Sequence, residues 1–252
     1  MGKLGPTLHL KRLNAPRLWK IPRKIVKFTV KPTPGPHKKG EYLPLGIIIR
    51  DILGYAKTLK EVRYILSNKM VLVNGKPRVN YRFPVGLMDV LEIPETKEFY
   101  RLLVNNKGFI IHPIPKKEAA VRLCYIIDKT NVKGGHIQIN LNDGSNILLK
   151  VKDPKNPVED KYQTRDALLL SNVDNKIKEH IPLKEGTYVL TVAGKNMGYA
   201  GIVKKIDRRL GPFASVVTIS TEKYGEIQTA LEFVFPTGFE KPLISLPEVS
   251  VE

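Results

Sequence analysis

The chain has 252 residues and carries 42 Lys and Arg against 24 Asp and Glu, a formal net charge of +18. Its 42% hydrophobic residues are enough to build packed cores, which excludes a wholly disordered basic tail. A charge of this size favours a polyanionic partner, nucleic acid or an anionic membrane surface, and the membrane reading is the weaker one, because there is no run of about 18 apolar residues and no apolar stretch after Met1.

Residues 1–42 form the first predicted unit. Lys3, Lys11, Arg12, Arg17, Lys20, Arg23, Lys24, Lys27, Lys31, Lys38 and Lys39 fall here, and the first 40 residues hold no acidic side chain. Pro16, Pro22, Pro32, Pro34 and Pro36 break any long helix. Such self-repulsion predicts a segment that orders only when phosphates compensate it. Leu8, Leu10, Leu13, Leu18 and Trp19 are interleaved with the cations, so the segment is expected to dock and stack, with Trp19 as an aromatic anchor. His37 is expected to contact a base or phosphate, or to be a simple loop histidine.

Residues 43–95 read as a compact α/β unit. Pro44 suits a first helical turn, and Leu45, Ile48, Ile49, Ile52, Leu53 and Ala56 recur at helical spacing. Thr58-Leu-Lys-Glu61 has the capping-box spacing and starts a second helix with the stripe Leu59, Val62, Ile65, Leu66. Val71-Leu-Val73 predicts a short strand, Asn74-Gly75 a two-residue hairpin turn, and Val90–Ile93 a further strand after a turn at Gly86–Asp89. A helix N-terminus offers unpaired N–H groups to phosphate. Lys57, Thr58, Lys60 and Arg63 surround that terminus, and Lys76, Arg78 and Arg82 follow from the hairpin, so these are candidate RNA contacts; ordinary solvated surface is the alternative.

Residues 96–176 read as a β-rich unit. Tyr100–Val104 and Phe109–His112 flank Asn105-Asn-Lys-Gly108 as a hairpin. Pro115–Glu118 is predicted to lead into a short helix over Ala119–Cys124. His136–Leu141 alternates strictly and turns at Asn142-Asp-Gly144 into a strand over Asn146–Val151. Residues 152–180 show little pattern. Residues 177–252 begin with an alternating strand, Gly186–Val192, then the turn Ala193-Gly-Lys-Asn-Met-Gly198 and a return strand from Gly201. Glycines permit left-handed turns and close approach of an RNA backbone. Lys195, Asn196, Lys204, Lys205, Arg208 and Arg209 are the candidate contacts there. Ser215–Ser220 and Leu231–Phe235 read as strands completing a barrel, Ile244–Pro247 as a tethered end, and the rest as an acidic tail.

Catalytic patterns are missing from the sequence. His9, His37, His112, His136 and His180 are scattered without metal-ligand spacing, and no G-x-S-x-G elbow, Walker or dinucleotide glycine pattern occurs. The single cysteine, Cys124, excludes an internal disulfide and suits a reducing compartment. No cofactor, metal, membrane or small-molecule substrate is expected, and Gly2 with Pro6 does not complete a myristoylation pattern.

Two segments resemble known modules. Leu53-Gly-Tyr-Ala56, Lys57-Thr58, Glu61-Val-Arg63 and Val71-Leu-Val-Asn-Gly-Lys76 resemble the S4-type RNA-binding domain, also called αL-like. Val192-Ala-Gly-Lys-Asn-Met-Gly198 resembles the KOW turn of a small SH3-like barrel. With His9-Leu-Lys-Arg12, Ala15-Pro16, Gly35-Pro-His-Lys38, Leu43-Pro-Leu45, Gly86-x-Met88-Asp-Val90 and Ile244-Ser-Leu-Pro247, the whole order resembles the archaeal and eukaryotic small-subunit ribosomal protein family S-four-e. The ending soon after Pro247 looks more like the archaeal form. The resemblance implies an α+β multidomain fold: basic extension, S4-type domain, β-rich centre and KOW barrel. It also implies a non-enzymatic cytoplasmic protein of the small ribosomal subunit, with small-subunit rRNA and neighbouring ribosomal proteins as partners. An RNA-modifying enzyme with an S4-type domain, or a KOW-type transcription or translation factor, is the alternative.

Overall fold

The computed structural model describes residues 7–38, 40–153, 157–209, 214–221 and 224–247. Lys39 and the acidic tail after Pro247 lie outside the described residues. Among the described residues the fold is β-rich, with three five-stranded antiparallel sheets and two two-stranded ribbons.

The leader packs against the body. Strands β1 (Leu10–Lys11) and β2 (Phe28–Thr29) pair antiparallel. Trp19, Ile21 and Val30 are buried in the main core, and the Trp19 indole N–H donates to the Tyr42 carbonyl at 2.7 Å. Proline-rich chain leaves carbonyls that no ladder can satisfy, and here arginine satisfies them. The Arg23 guanidinium donates to the carbonyls of Arg12 at 3.1 Å, Ala15 at 2.8 Å and Pro16 at 2.7 Å. Arg12 donates to the Pro22 carbonyl at 2.7 Å.

Strand β3 (Tyr42–Pro44) pairs with β6 (Pro84–Gly86) and leads into helix α1 (Leu45–Ile47). The helix does not continue regularly. Over Ile48–Ile52 its turns widen, and the Leu53 N–H reaches the Ile48 carbonyl at 2.9 Å. Ile47, Ile48 and Ile49 are almost wholly buried, so packing of three consecutive β-branched side chains overrides helical regularity. Helix α2 (Leu59–Ser67) starts at the predicted capping box: the Thr58 hydroxyl accepts from the Glu61 N–H, and the Glu61 carboxylate reaches back. Strands β4 (Leu72–Val73) and β5 (Lys76–Pro77) are joined by Asn74 and Gly75, with φ of 51° and 73°, the left-handed pair that a tight hairpin needs.

Strands β7 (Val90–Ile93), β8 (Glu98–Asn105) and β9 (Gly108–Pro113) extend that hairpin into one sheet, ordered β5-β4-β7-β8-β9. The sheet runs straight through residues 95 and 96, since Val90 pairs with Arg101 and Ile93 with Glu98. Beyond it, the predicted helix over Ala119–Cys124 is corrected. Helix α3 is a single turn, Lys116–Ala119, and Val121 already belongs to β10 (Val121–Val132). The β-branched and aromatic run from Val121 favours a pleated surface, and β10 pairs with β13 (Ala167–Ser171) from Val121↔Ser171 to Tyr125↔Ala167. A register shift between Ile126 and Asp128 then turns the long strand toward β11 (His136–Leu141). Strands β12 (Asn146–Leu149) and β14 (Ile177–Ile181) complete the sheet β12-β11-β10-β13-β14.

The last sheet, β18-β17-β16-β15-β19, contains β15 (Tyr188–Thr191), β16 (Ala200–Asp207), β17 (Val216–Thr221), β18 (Gly225–Ala230) and β19 (Val234–Gly238). The strand predicted over Leu231–Phe235 begins three residues later, because Leu231–Phe233 forms a tight helical turn. The end of the described chain is tethered through Ser245, whose N–H and hydroxyl donate to the Glu118 carboxylate at 3.1 and 2.8 Å. A continuous core joins all regions: Trp19, Leu66, Leu103, Ala167, Leu190, Phe235 and Ile244 belong to one buried cluster.

Candidate nucleic-acid interface

The leader divides its polar side chains between two directions. Lys11, Arg17, Lys20, Lys24 and Lys38 are exposed, while Arg12, Trp19 and His37 are buried and Arg23 is half-buried. Trp19, 2% exposed, has no open ring face for a base, so its predicted stacking role is corrected to a packing role. Arg12 and Arg23 are committed to the carbonyls named above. Expectations for Lys39 fall outside the described residues.

His37 serves an internal junction in place of the predicted contact with base or phosphate. Its Nε2 lies 2.7 Å from the Asp89 carboxylate, which also accepts from the Asn74 amide at 2.7 Å and the Gly86 N–H at 2.8 Å. The Asn74 side-chain oxygen accepts from the Val90 N–H at 2.9 Å. This buried node joins leader, hairpin turn and β-sheet. Burial opposes the His37 cation, but Asp89 outweighs it, with Asp143 and Glu41 adding, so the His37 pKa is raised.

At the start of α2, Lys57, Lys60 and Arg63 are exposed. The helix end itself is already served by a carboxylate. Glu61 accepts from the Lys57 N–H at 2.7 Å, and that contact leads the causes holding its pKa low. Glu61 and Thr58 thus take donors that the sequence offered to phosphate, which leaves the flanking cationic side chains to meet an anion. Thr58 caps the helix.

Two aromatics near this helix carry no signal in the apolar periodicity, although their two-residue spacing within a cationic run, Asn80-Tyr-Arg-Phe83, hints at them. Arg63 lies 4.9 Å and Arg82 5.5 Å from the Tyr81 ring centre, and both donate to its hydroxyl, at 3.3 and 3.1 Å. Burial would raise the Tyr81 pKa, but the two arginines prevail and it is lowered. Arg78 stacks 4.3 Å over Phe83. The guanidinium groups are thereby held against aromatic side chains, where arginine interacts favourably with the ring. Lys76 is exposed on β5.

The turn between β15 and β16 presents Lys195 to solvent, with Lys204, Lys205, Arg208 and Arg209 exposed downstream. Lys204 pairs with Glu226, and Lys205 with Asp207 at 2.7 Å. Asn196 is half-buried and donates to the Gln228 carbonyl at 3.0 Å. Gly198 and Gly201 admit close approach of neighbouring protein backbone. A Cβ on Gly198 would stand 2.5 Å from the Asn105 Cα and 2.8 Å from the Asn106 N, and one on Gly201 would collide with the Ser220 carbonyl.

Among the described residues no group of three or more His, Cys, Asp and Glu is arranged to hold a metal, and no helix is long and apolar enough to cross a membrane. Cys124 is buried, and burial pushes its thiol pKa well up, the opposite of an activated nucleophile. His180 Nε2 contacts Asp166 at 2.7 Å, but Asp166 also accepts from the Gln163 and Leu183 N–H groups, which makes it a loop anchor.

A β-rich scaffold thus carries exposed cations on the leader, α2, the β4–β5 hairpin and the β15–β16 turn. Residues 96–177 match the model described as Ribosomal family S4e, and residues 4–40 the RS4NT domain. The small ribosomal subunit protein eS4 of Staphylothermus marinus is 49% identical over 98% of this chain and 99% of that protein. Its namesake from Methanocaldococcus jannaschii is 45% identical over 98% of this chain and 100% of that protein. The crystal structure of the 30S ribosomal protein S4e from Thermoplasma acidophilum superposes with a TM-score of 0.65 at 29% identity, covering 79% of this chain and 95% of that one. The chain belongs to the ribosomal protein S4e family.

Proposed function

We propose that the chain is a non-enzymatic structural constituent of the small ribosomal subunit, where it binds small-subunit rRNA and stabilises its folded form during translation in the cytoplasm. Neighbouring small-subunit proteins are its further partners. The observation that carries this reading is the 49% identity, over 98% of the chain, to a small ribosomal subunit protein. The charge pattern supports it, because the exposed cations sit on several separate elements of one continuous core.

The finer reading assigns residues 1–42 to an RNA-docking extension, 43–95 to an S4-type domain, 96–176 to a β-rich centre and 177–252 to a KOW-type SH3-like barrel. The capped α2 followed by the Asn74-Gly75 hairpin supports the second unit, and the β15–β16 hairpin supports the fourth. RNA contacts are assigned to Lys11, Arg17, Lys20, Lys24, Lys38, Lys57, Lys60, Arg63, Lys76, Arg78, Arg82, Lys195, Lys204, Lys205, Arg208 and Arg209.

Binding of the full chain to small-subunit rRNA tests this. With roughly six to ten phosphate contacts, affinity falls about 10³- to 10⁵-fold between 50 and 200 mM salt, on the duplex-DNA scale. Sucrose-gradient fractionation separates a subunit constituent, which stays through a high-salt wash, from a factor that leaves. Salt-independent binding, or release in the wash, refutes the reading.

A further inference from the structure

Burial of Trp19 leaves the leader without its predicted stacking anchor, yet the β1–β2 ribbon offers another. Lys11 and Phe28 are directly opposite each other in the antiparallel pair, as are Leu10 and Thr29. Side chains alternate across a ribbon, so Lys11 and Phe28 share one face with His9, and Leu10 and Thr29 share the other. The second face turns inward: Leu10 packs on the main core, and the Thr29 hydroxyl is buried.

The first face is open. Phe28 is 46% exposed, and His9 and Lys11 are exposed. The rings of His9 and Phe28 meet edge to face at 5.3 Å, and the Lys27 ammonium lies 5.6 Å from the Phe28 centre. Ile25 and Val26, just before the ribbon's second strand, are also exposed, at 73% and 51%. An apolar protein partner would need acidic groups to meet the cations, since residues 1–40 have no acid of their own. A single-stranded nucleic acid supplies both complements, a π-face for the ring and phosphates for the lysines.

We infer that the outward face of this ribbon is a base-stacking site: an unpaired nucleobase of the bound RNA packs on Phe28 and His9, and Lys11 and Lys27 hold the flanking phosphates. The inference rests on the rRNA-binding reading and names the part of the RNA that the leader takes.

The test uses the full chain, a full-length small-subunit rRNA transcript, and a salt series for Phe28→Ala, Phe28→Leu, Phe28→Tyr and Lys11→Ala. Thermal melts verify folding, which a half-exposed ring on a short ribbon does not control. Phe28→Ala and Phe28→Leu each weaken binding roughly 5- to 150-fold at every salt concentration, with the slope unchanged. Phe28→Tyr retains parental affinity. Lys11→Ala instead reduces the log–log slope by about one. Parental affinity in Phe28→Leu overturns the inference, because an aliphatic side chain satisfies a protein or ribose contact but cannot stack. A parent chain that shows no salt-dependent RNA binding sinks the rRNA reading itself, and the two failures are therefore distinct.

Discussion

Asp89 is the residue on which the joint between leader and body depends most. It is 3% exposed and accepts from His37, Asn74 and the Gly86 N–H, all within 2.8 Å. In Asp89→Ala, two neutral donors lose their acceptor and a buried histidine loses its counter-charge. Each stranded donor costs about 1–3 kcal/mol, and breaking a buried ion pair about 3–5 kcal/mol. These overlap within one network, so the expected loss is about 4 kcal/mol, or about 8–16 °C in Tm for a chain of this size. Asp89→Asn keeps the shape and removes the charge, and its diagnostic is pH. The His37 pKa is raised in the folded parent. The sign follows: the stabilisation is fully present below the unfolded histidine pKa of about 6.5 and is lost as pH rises through the higher folded value. Without Asp89, burial meets less opposition and the stabilisation of the cation shrinks. The stability gap between parent and Asp89→Asn, from denaturant titrations at pH 5.5 and pH 8.5, is therefore wider at pH 5.5. A gap independent of pH, or an Asp89→Ala variant melting within about 2 °C of the parent, refutes this account.

Trp19 is the only tryptophan in the chain, so intrinsic fluorescence reports on it alone. Its burial predicts blue-shifted emission resistant to acrylamide in the RNA-free protein, and Trp19→Ala should cost about 3–5 kcal/mol in chemical denaturation. Red, freely quenched emission would return Trp19 to the surface role. Gly198→Ala should destabilise by about 3 kcal/mol, since its φ of 88° and the Asn105 backbone at 2.5 Å both oppose a Cβ. Gly225→Ala, at φ 70° with nothing within 4 Å, isolates the backbone strain and should cost only about 1 kcal/mol. Equal losses in the two alanine variants would show that the contact with the β8–β9 turn is immaterial.

Local rules made the local features legible. The Thr58–Glu61 cap, the Asn74-Gly75 turn and the alternating strand His136–Leu141 each depend on neighbours a few residues away, and the structure has all three. Strands β13 and β14 were not legible. Their partners are remote, and Leu168, Leu169 and Leu170 run together without the alternation that marks a strand with one wet face. The His37–Asp89 contact spans 52 residues, and no spacing rule announces it. At the start of α2 the sequence marks both the cap and the flanking cations, and Glu61 of that cap accepts from the Lys57 N–H while the Thr58 hydroxyl accepts from the Glu61 N–H.

The net charge of +18 does not translate directly into RNA contacts, because arginine and lysine are used differently here. Among the described lysines all but the half-buried Lys31 and Lys129 are exposed, whereas of the arginines only Arg17, Arg63, Arg208 and Arg209 are. Several of the others work inside the protein. Arg23 and Arg12 gather leader carbonyls, Arg101 is fully buried with Glu118 at 3.1 Å, and Arg122 reaches Asp143 at 2.9 Å and Asn175 at 2.7 Å. A weakly hydrated planar cation with five donors loses less on burial than an ammonium and satisfies several acceptors at once. Proline-rich chain that cannot form ladders needs such a group, so the leader spends Arg12 and Arg23 on its own order. The cations left for phosphate are chiefly lysines and the aromatic-backed Arg63, Arg78 and Arg82. The salt dependence of binding should therefore follow the exposed set, and removing an inward arginine should lower stability while leaving the salt slope of the folded protein nearly unchanged.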